Sequence, residues 1–114
     1  MIAELMGPEN SPYSGLIFTL TVSVPEEYPY KDYDIRFVTP VYHPNIITGQ
    51  KIHFQWSPAY SLRVLFLVVG ALMASPDECV VDEKIAREFR EHPTAFAIKA
   101  RNLALKHARP VRRY

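Results

Sequence analysis

A chain of 114 residues, 48% of them hydrophobic, is long enough for one core that takes roughly two thirds of its unfolded surface out of water, and too short for two. Its 13 Lys and Arg against 12 Asp and Glu leave a net charge of +1, which gives no argument for nucleic acid as a partner. The single cysteine, Cys79, excludes an internal disulfide and fits a reducing setting, cytoplasmic or nuclear.

In chain order, Met1 to Met6 has neither the basic start nor the sustained apolar run of a secretion signal, and Ile2 to Leu5 reads as a short strand. Between Gly15 and Pro25 the side chains alternate. Phe18, Leu20, Val22 and Val24 share one face and Thr19, Thr21 and Ser23 the other, which is the period of a strand with one face on a core. Pro25 and Glu26-Glu27 end it. Extended patterning resumes at Ile35-Arg36-Phe37-Val38 and stops at Pro40, because proline has no N–H to give a ladder. This part of the chain predicts an antiparallel meander with one solvated face.

Seven of the ten prolines lie at or before Pro58, and helix-forming sequence follows. Ser61 is placed to cap a helix over 61 to 74, through Val64, Leu65, Leu67, Val68, Ala71 and Leu72. Being apolar on nearly every side, that helix is expected in the middle of the domain, against the inner face of the sheet. It is too short to cross a bilayer, so no membrane partner is expected. Gly70 costs it helix propensity unless close packing uses the space a missing side chain leaves. Asp82 caps the next helix, with Ile85, Ala86 and Phe89 as its inward stripe. Pro93 opens the last, where Phe96, Ala100, Leu103 and Ala104 recur at spacings of three and four. Lys99, Arg101, Lys106, Arg109, Arg112 and Arg113 follow with no acidic residue among them, and are expected as a solvated helix face with a frayed basic tail. The reading is a single α+β domain over 1 to 114, sheet first and helices after.

The motifs are more specific. Tyr42-His43-Pro44-Asn45 is followed by His53 and then by Gln55-Trp56-Ser57-Pro58-Ala59. Further runs are GPENSPYSG at 7 to 15, FTLTVSVPEEYPYK at 18 to 31, IRFVTPVYHPN at 35 to 45 and AREFREHP at 86 to 93. In this order and over nearly the whole chain, they resemble the ubiquitin-conjugating enzymes. The resemblance implies the UBC-like fold, an antiparallel meander followed by helices. That fold normally opens on an amphipathic helix that takes part in binding the activating enzyme. This chain starts inside the first strand, so the domain is expected without its N-terminal helix, and binding of the activating enzyme is in doubt.

In the family, the His-Pro-Asn triplet precedes the cysteine that carries ubiquitin as a thioester. Aligned through His43, Pro44 and Asn45, that position is His53, and only Phe54 and Gln55 separate it from Trp56, so a short segment usual after the cysteine is absent. A thioester needs sulfur as nucleophile and leaving group, and imidazole would give an acyl-imidazole that hydrolyses readily. Cys79 lies beside Asp77 and Glu78, which disfavour a thiolate, and reads as incidental. No catalytic residue is therefore expected to be intact. Asn45 corresponds to the family's asparagine, which stabilises an oxyanion or holds the adjacent loop. Without a thioester beside it, the loop-holding role is expected, with His43 and Pro44 fixing the same active-site turn.

The resemblance also makes Tyr28-Pro29-Tyr30-Lys31 and Trp56-Ser57-Pro58-Ala59 a candidate RING-type ligase surface, since such residues present apolar area at low ordering cost. Asp32 and Tyr33 replace two prolines usual there, and turn and core roles compete with this reading. His43 and His53 lack further ligands at suitable spacing, Cys79, His92 and His107 lying on other elements, so neither a metal nor a cofactor is expected. The functional expectation is a non-catalytic domain that at most binds ubiquitin or a RING-type ligase. The alternative is a genuine conjugating enzyme, a thioester-carrying transferase represented by a defective or truncated gene model. A third reading, a small interaction domain with no link to ubiquitin, is disfavoured by the number of ordered matches.

Overall fold

The computed structural model describes residues 1–24, 26, 33–52, 57, 59–75 and 81–110. The strand Leu16–Ser23 (β2) is the centre of the sheet. Its alternation is realised as read: Leu16, Phe18, Leu20 and Val22 are buried, while Ile17, Thr19 and Thr21 are only partly covered. The strand Ile2–Met6 (β1) pairs antiparallel along one edge, from Ile2 opposite Thr21 to Met6 opposite Ile17. The strand Asp34–Phe37 (β3) takes the other edge, from Phe37 opposite Leu20 to Asp34 opposite Ser23. The chain then doubles back beside β3, where the Ile52 N–H donates to the Ile35 carbonyl at 2.9 Å and Arg36 bridges to Lys51.

Val24, expected on the inner face with Phe18, Leu20 and Val22, is 61% exposed, because the β2–β3 ladder ends one residue earlier, at Ser23 opposite Asp34, and the pleat is not held past that point. Val38 is 54% exposed on the outer face, as alternation from the buried Ile35 and Phe37 requires.

The helix Leu62–Ala74 (α1) starts where Ser61 accepts from the Val64 N–H. It was expected to be covered on nearly every side, and it is not. Leu65, Val69, Leu72 and Met73 are buried, whereas Leu67 is 67% exposed. A helix lying on one face of a sheet reaches it with one stripe only, and the i, i+4, i+7, i+8 set is that stripe. The helix Glu83–Glu91 (α2) is capped as read, Asp82 accepting from the N–H groups of Lys84 and Ile85. Ala86 is buried, and Ile85 and Phe89 pack on the core. The helix Pro93–His107 (α3) buries Phe96, Ala100 and Ala104. Pro93 costs it nothing at the first position, where an N–H has no intrahelical partner. Phe89 meets Phe96 edge-on, with ring centroids 5.1 Å apart.

The basic stretch is not a frayed tail through residue 110. Arg109–Pro110 (β4) pairs with Ile17 and Leu16, the part of β2 that β3 leaves open, and Arg109 forms an ion pair with Glu4. Lys99 pairs with Glu88, and Arg101 donates to the carbonyls of Pro12 and Ser14. The architecture is an antiparallel meander followed, among the described residues, by three helices, the α+β arrangement expected. Its first described element is β1.

Candidate functional site

His43, Pro44 and Asn45 form a tight turn closed by a bridge between His43 and Ile46. His43 is fully buried, Asn45 is 3% exposed and Pro44 is buried between them. The Asn45 N–H donates to His43 Nδ1 at 3.0 Å. A ring nitrogen that accepts cannot carry the proton, so the proton sits on Nε2, which donates to the Leu72 carbonyl at 2.8 Å.

That second bond follows from the sequence of α1. Leu72 is among the last four residues of the helix, whose carbonyls lack intrahelical donors, and the residue four positions on is Pro76, which has no N–H. His43 supplies the donor the backbone cannot. The Pro44 carbonyl in turn accepts from the N–H groups of Val81 and Asp82 at 2.9 and 3.2 Å. The turn therefore joins the end of α1 to the start of α2.

The residue before it is held as firmly. The Tyr42 carbonyl accepts from the Tyr13 hydroxyl at 2.5 Å. Tyr13 is 1% exposed, and burial pushes its phenol well above the usual range. The Tyr42 hydroxyl donates to Glu88 at 2.9 Å, and Lys99 donates to the same carboxylate at 2.6 Å. Lys99 first and Tyr42 second hold the Glu88 carboxyl below its ordinary value. The Lys99 ammonium is raised by Glu88, and the Tyr42 phenol by desolvation first and Glu88 next. This chain of contacts ties the turn to α2 and α3.

Of the residues proposed from sequence, the structure thus unites His43, Pro44 and Asn45. Ser57 and Ala59 are described: the Ala59 N–H donates to Ser57 Oγ at 3.3 Å and the Tyr60 N–H to the Ser57 carbonyl at 2.9 Å, a local turn just before α1. His53, Tyr28, Pro29, Tyr30, Lys31, Trp56, Pro58 and Cys79 lie outside the described residues. Tyr13 was not singled out as a site residue. Its signal was an aromatic residue with a polar tip set among Pro12, Ser14 and Gly15, in a stretch otherwise made for a turn. Among the described residues no three His, Cys, Asp or Glu groups are arranged to hold a metal, and no helix is long and apolar enough to cross a membrane. A groove of about 500 Å³ between Pro12 and Arg101, also lined by Asn10, Ile98 and Asn102, shares no residue with the turn.

Comparison with known proteins bears on this arrangement. Residues 1–104 match the family model described as ubiquitin-conjugating enzyme. The chain is 34% identical to the mouse protein named ubiquitin-conjugating enzyme E2 T, over 94% of this chain and 57% of that protein. It is 35% identical to the Xenopus laevis protein of the same name, over 95% of this chain and 62% of that protein. A solved structure described as a candidate ubiquitin conjugating enzyme from Plasmodium yoelii superposes with a TM-score of 0.84 at 31% identity, covering 96% of this chain and 76% of that one. The chain spans about three fifths of the length of the curated relatives it matches. Relatives this similar are named as conjugating enzymes. That finding overturns the expectation of a non-catalytic domain, and with it the judgement against an enzyme, which rested on the histidine at position 53, the short spacing from it to Trp56, the acidic sequence neighbours of Cys79 and the doubt over binding the activating enzyme.

Proposed function

The chain belongs to the ubiquitin-conjugating enzyme family, and on that premise we propose that the protein is itself a conjugating enzyme, which carries ubiquitin as a thioester and passes it to an amine. The observation that carries this reading is the buried His43-Pro44-Asn45 turn, fastened to α1, α2 and Tyr13. In the proposed reaction a thiolate attacks the thioester that links ubiquitin to the activating enzyme and expels that enzyme's sulfur as a thiolate. An amine then attacks the new thioester, forms the amide, loses a proton and expels the thiolate. Asn45 is the group proposed to donate to the oxyanion as the amine adds, and His43 and Pro44 hold it in place.

The nucleophile has to be sulfur. We place it at position 53, and take His53 and the short spacing to Trp56 to be defects of the gene model. The alignment with the mouse relative runs to 119 residues, longer than the whole 114-residue chain. Part of the relative therefore has no counterpart here, in keeping with a lost segment. Ubiquitin and the activating enzyme are the proposed partners. A RING-type ligase is proposed to dock on the segments Tyr28 to Lys31 and Trp56 to Ala59.

The test is to sequence the transcript across codon 53 and to incubate the encoded protein with activating enzyme, ATP and ubiquitin. Products are compared on reducing and non-reducing gels. A reducible adduct of one ubiquitin is expected on the protein with the restored segment. His53→Cys alone is expected to charge poorly, since the segment before Trp56 is still missing and transfer needs close alignment of the reacting groups. An adduct on the chain as it stands that disappears with Cys79→Ala would move the nucleophile to Cys79. A transcript encoding His53, with no adduct on any variant, would overturn the proposal.

A further inference from the structure

We propose that Tyr13 is a positioning residue for the Asn45 turn: its hydroxyl, donated to the Tyr42 carbonyl, and its ring, laid against His43, set the geometry in which Asn45 is held. Asn45's catalytic meaning rests on the function proposed above, but the positioning itself does not depend on conjugation.

The segment from Gly7 to Gly15 reads as a mount for this one side chain. The Gly7 N–H donates to the Leu16 carbonyl at 2.8 Å, closing the base of the loop. A Cβ at Gly7 would lie 1.9 Å from the Tyr13 carbonyl oxygen, so the chain passes directly against the Tyr13 backbone. Ser11 donates to the Pro8 carbonyl at 2.6 Å and accepts from the Tyr13 N–H at 3.2 Å. Arg101, from α3, donates to the carbonyls of Pro12 and Ser14 on either side of Tyr13. Asn10 and Gly15 take positive φ, 61° and 76°. The backbone on both sides of Tyr13 is thereby fastened to β2 and α3.

The side chain reaches 29 positions along the chain to the turn. Its ring meets Phe18 edge-on at 5.8 Å and lies tilted 38° to the His43 imidazole at 6.1 Å. A phenylalanine would fill that space equally well. The hydroxyl is what distinguishes a mere core residue from a positioning one, since burying it costs free energy unless it is bonded, and its partner is the carbonyl immediately before His43. Holding that peptide fixes the direction in which the imidazole leaves the backbone, and hence the bond from Nδ1 to the Asn45 N–H.

Tyr13→Phe tests this by amide hydrogen exchange and by the ring 15N shifts of His43, neither of which involves ubiquitin. Exchange at Asn45 is expected to rise roughly tenfold, the scale set by loss of one hydrogen bond, relative to Leu65 and Val69 inside α1. The His43 nitrogen shifts are expected to move toward each other as the tautomer loosens. A rise at Asn45 no larger than at Leu65 and Val69 would mean general destabilisation and would overturn the proposal, as would no change at all. If Tyr13→Phe does not fold, the unsubstituted chain decides. A slowly exchanging Tyr13 hydroxyl proton, with cross-relaxation to the His43 ring, is expected, and a hydroxyl that exchanges freely with water refutes it. Failure of the charging experiment leaves these readouts unaffected.

Discussion

Replacing His43 by phenylalanine keeps an aromatic ring in a site closed to solvent and removes two nitrogens, each of which has one described partner. The Leu72 carbonyl loses its donor at 2.8 Å, and the helix cannot replace it because Pro76 has no N–H to give. The Asn45 N–H loses its acceptor at 3.0 Å. A buried polar group left unpaired costs about 1–3 kcal/mol, so the two together cost about 2–6 kcal/mol. That is a large share of the 5–15 kcal/mol typical of a domain, an order-of-magnitude figure. With a urea m-value of roughly 2 kcal/mol/M, the unfolding midpoint should fall by roughly 1–3 M. His43→Asn separates the two bonds. Its side-chain oxygen can accept from the N–H two residues on, as in an Asx-turn, but it is too short to reach Leu72, so about half the loss should return. Equilibrium urea unfolding of the three proteins, followed by Trp56 fluorescence and far-UV circular dichroism, gives the measurement. A loss below about 1 kcal/mol in His43→Phe would show that water or another donor satisfies Leu72. His43→Asn as unstable as His43→Phe would show that the Asn45 bond contributes little.

Two glycines should respond oppositely to alanine. At Gly70 a Cβ meets no described atom within 4 Å, so the alternative of close packing fails there; Gly70→Ala should stabilise the fold by about 0.5–1 kcal/mol and raise the thermal midpoint by roughly 2–6 °C. Gly7→Ala drives a methyl group into the Tyr13 carbonyl, and should cost about 1–3 kcal/mol or more; calorimetry showing the same sign at both positions would refute the geometry. For Glu88, the folded carboxyl titrates below its ordinary value near 4.5, so its contribution is complete above that pH and is lost as pH falls through the folded value. The difference in urea midpoint between the parent and Glu88→Gln should therefore be steady from neutral pH down to about 5 and close under stronger acid; a difference that persists undiminished at the acid end would assign the loss to packing instead.

Much of the fold was legible because its signals are local. The alternation through β2, the caps at Ser61 and Asp82, and Pro93 at the head of α3 each act within a few residues of where they stand. The family was legible too, because its motifs survive in order. The inference from His53 and the short spacing to Trp56 to a non-catalytic domain was less secure: it set a local departure against a resemblance extending over nearly the whole chain, and the similar proteins named as conjugating enzymes reversed it.

What only the tertiary structure decided is a matter of partners distant in sequence. An all-round apolar helix does not say which stripe it buries, and the sheet chose Leu65, Val69, Leu72 and Met73. Basic composition after Lys99 does not say that Arg109 will lie beside Ile17. The site shows the same division. His43-Pro44-Asn45 can be read off as a motif, but nothing near it encodes the Tyr13 hydroxyl, which bonds Tyr42 across 29 positions, or the Leu72 carbonyl, which bonds His43 across 29. Hydrogen bonds require atoms to meet within about 3 Å. For groups so far apart along the chain, that meeting is set by how sheet and helices pack, and no local pattern specifies it.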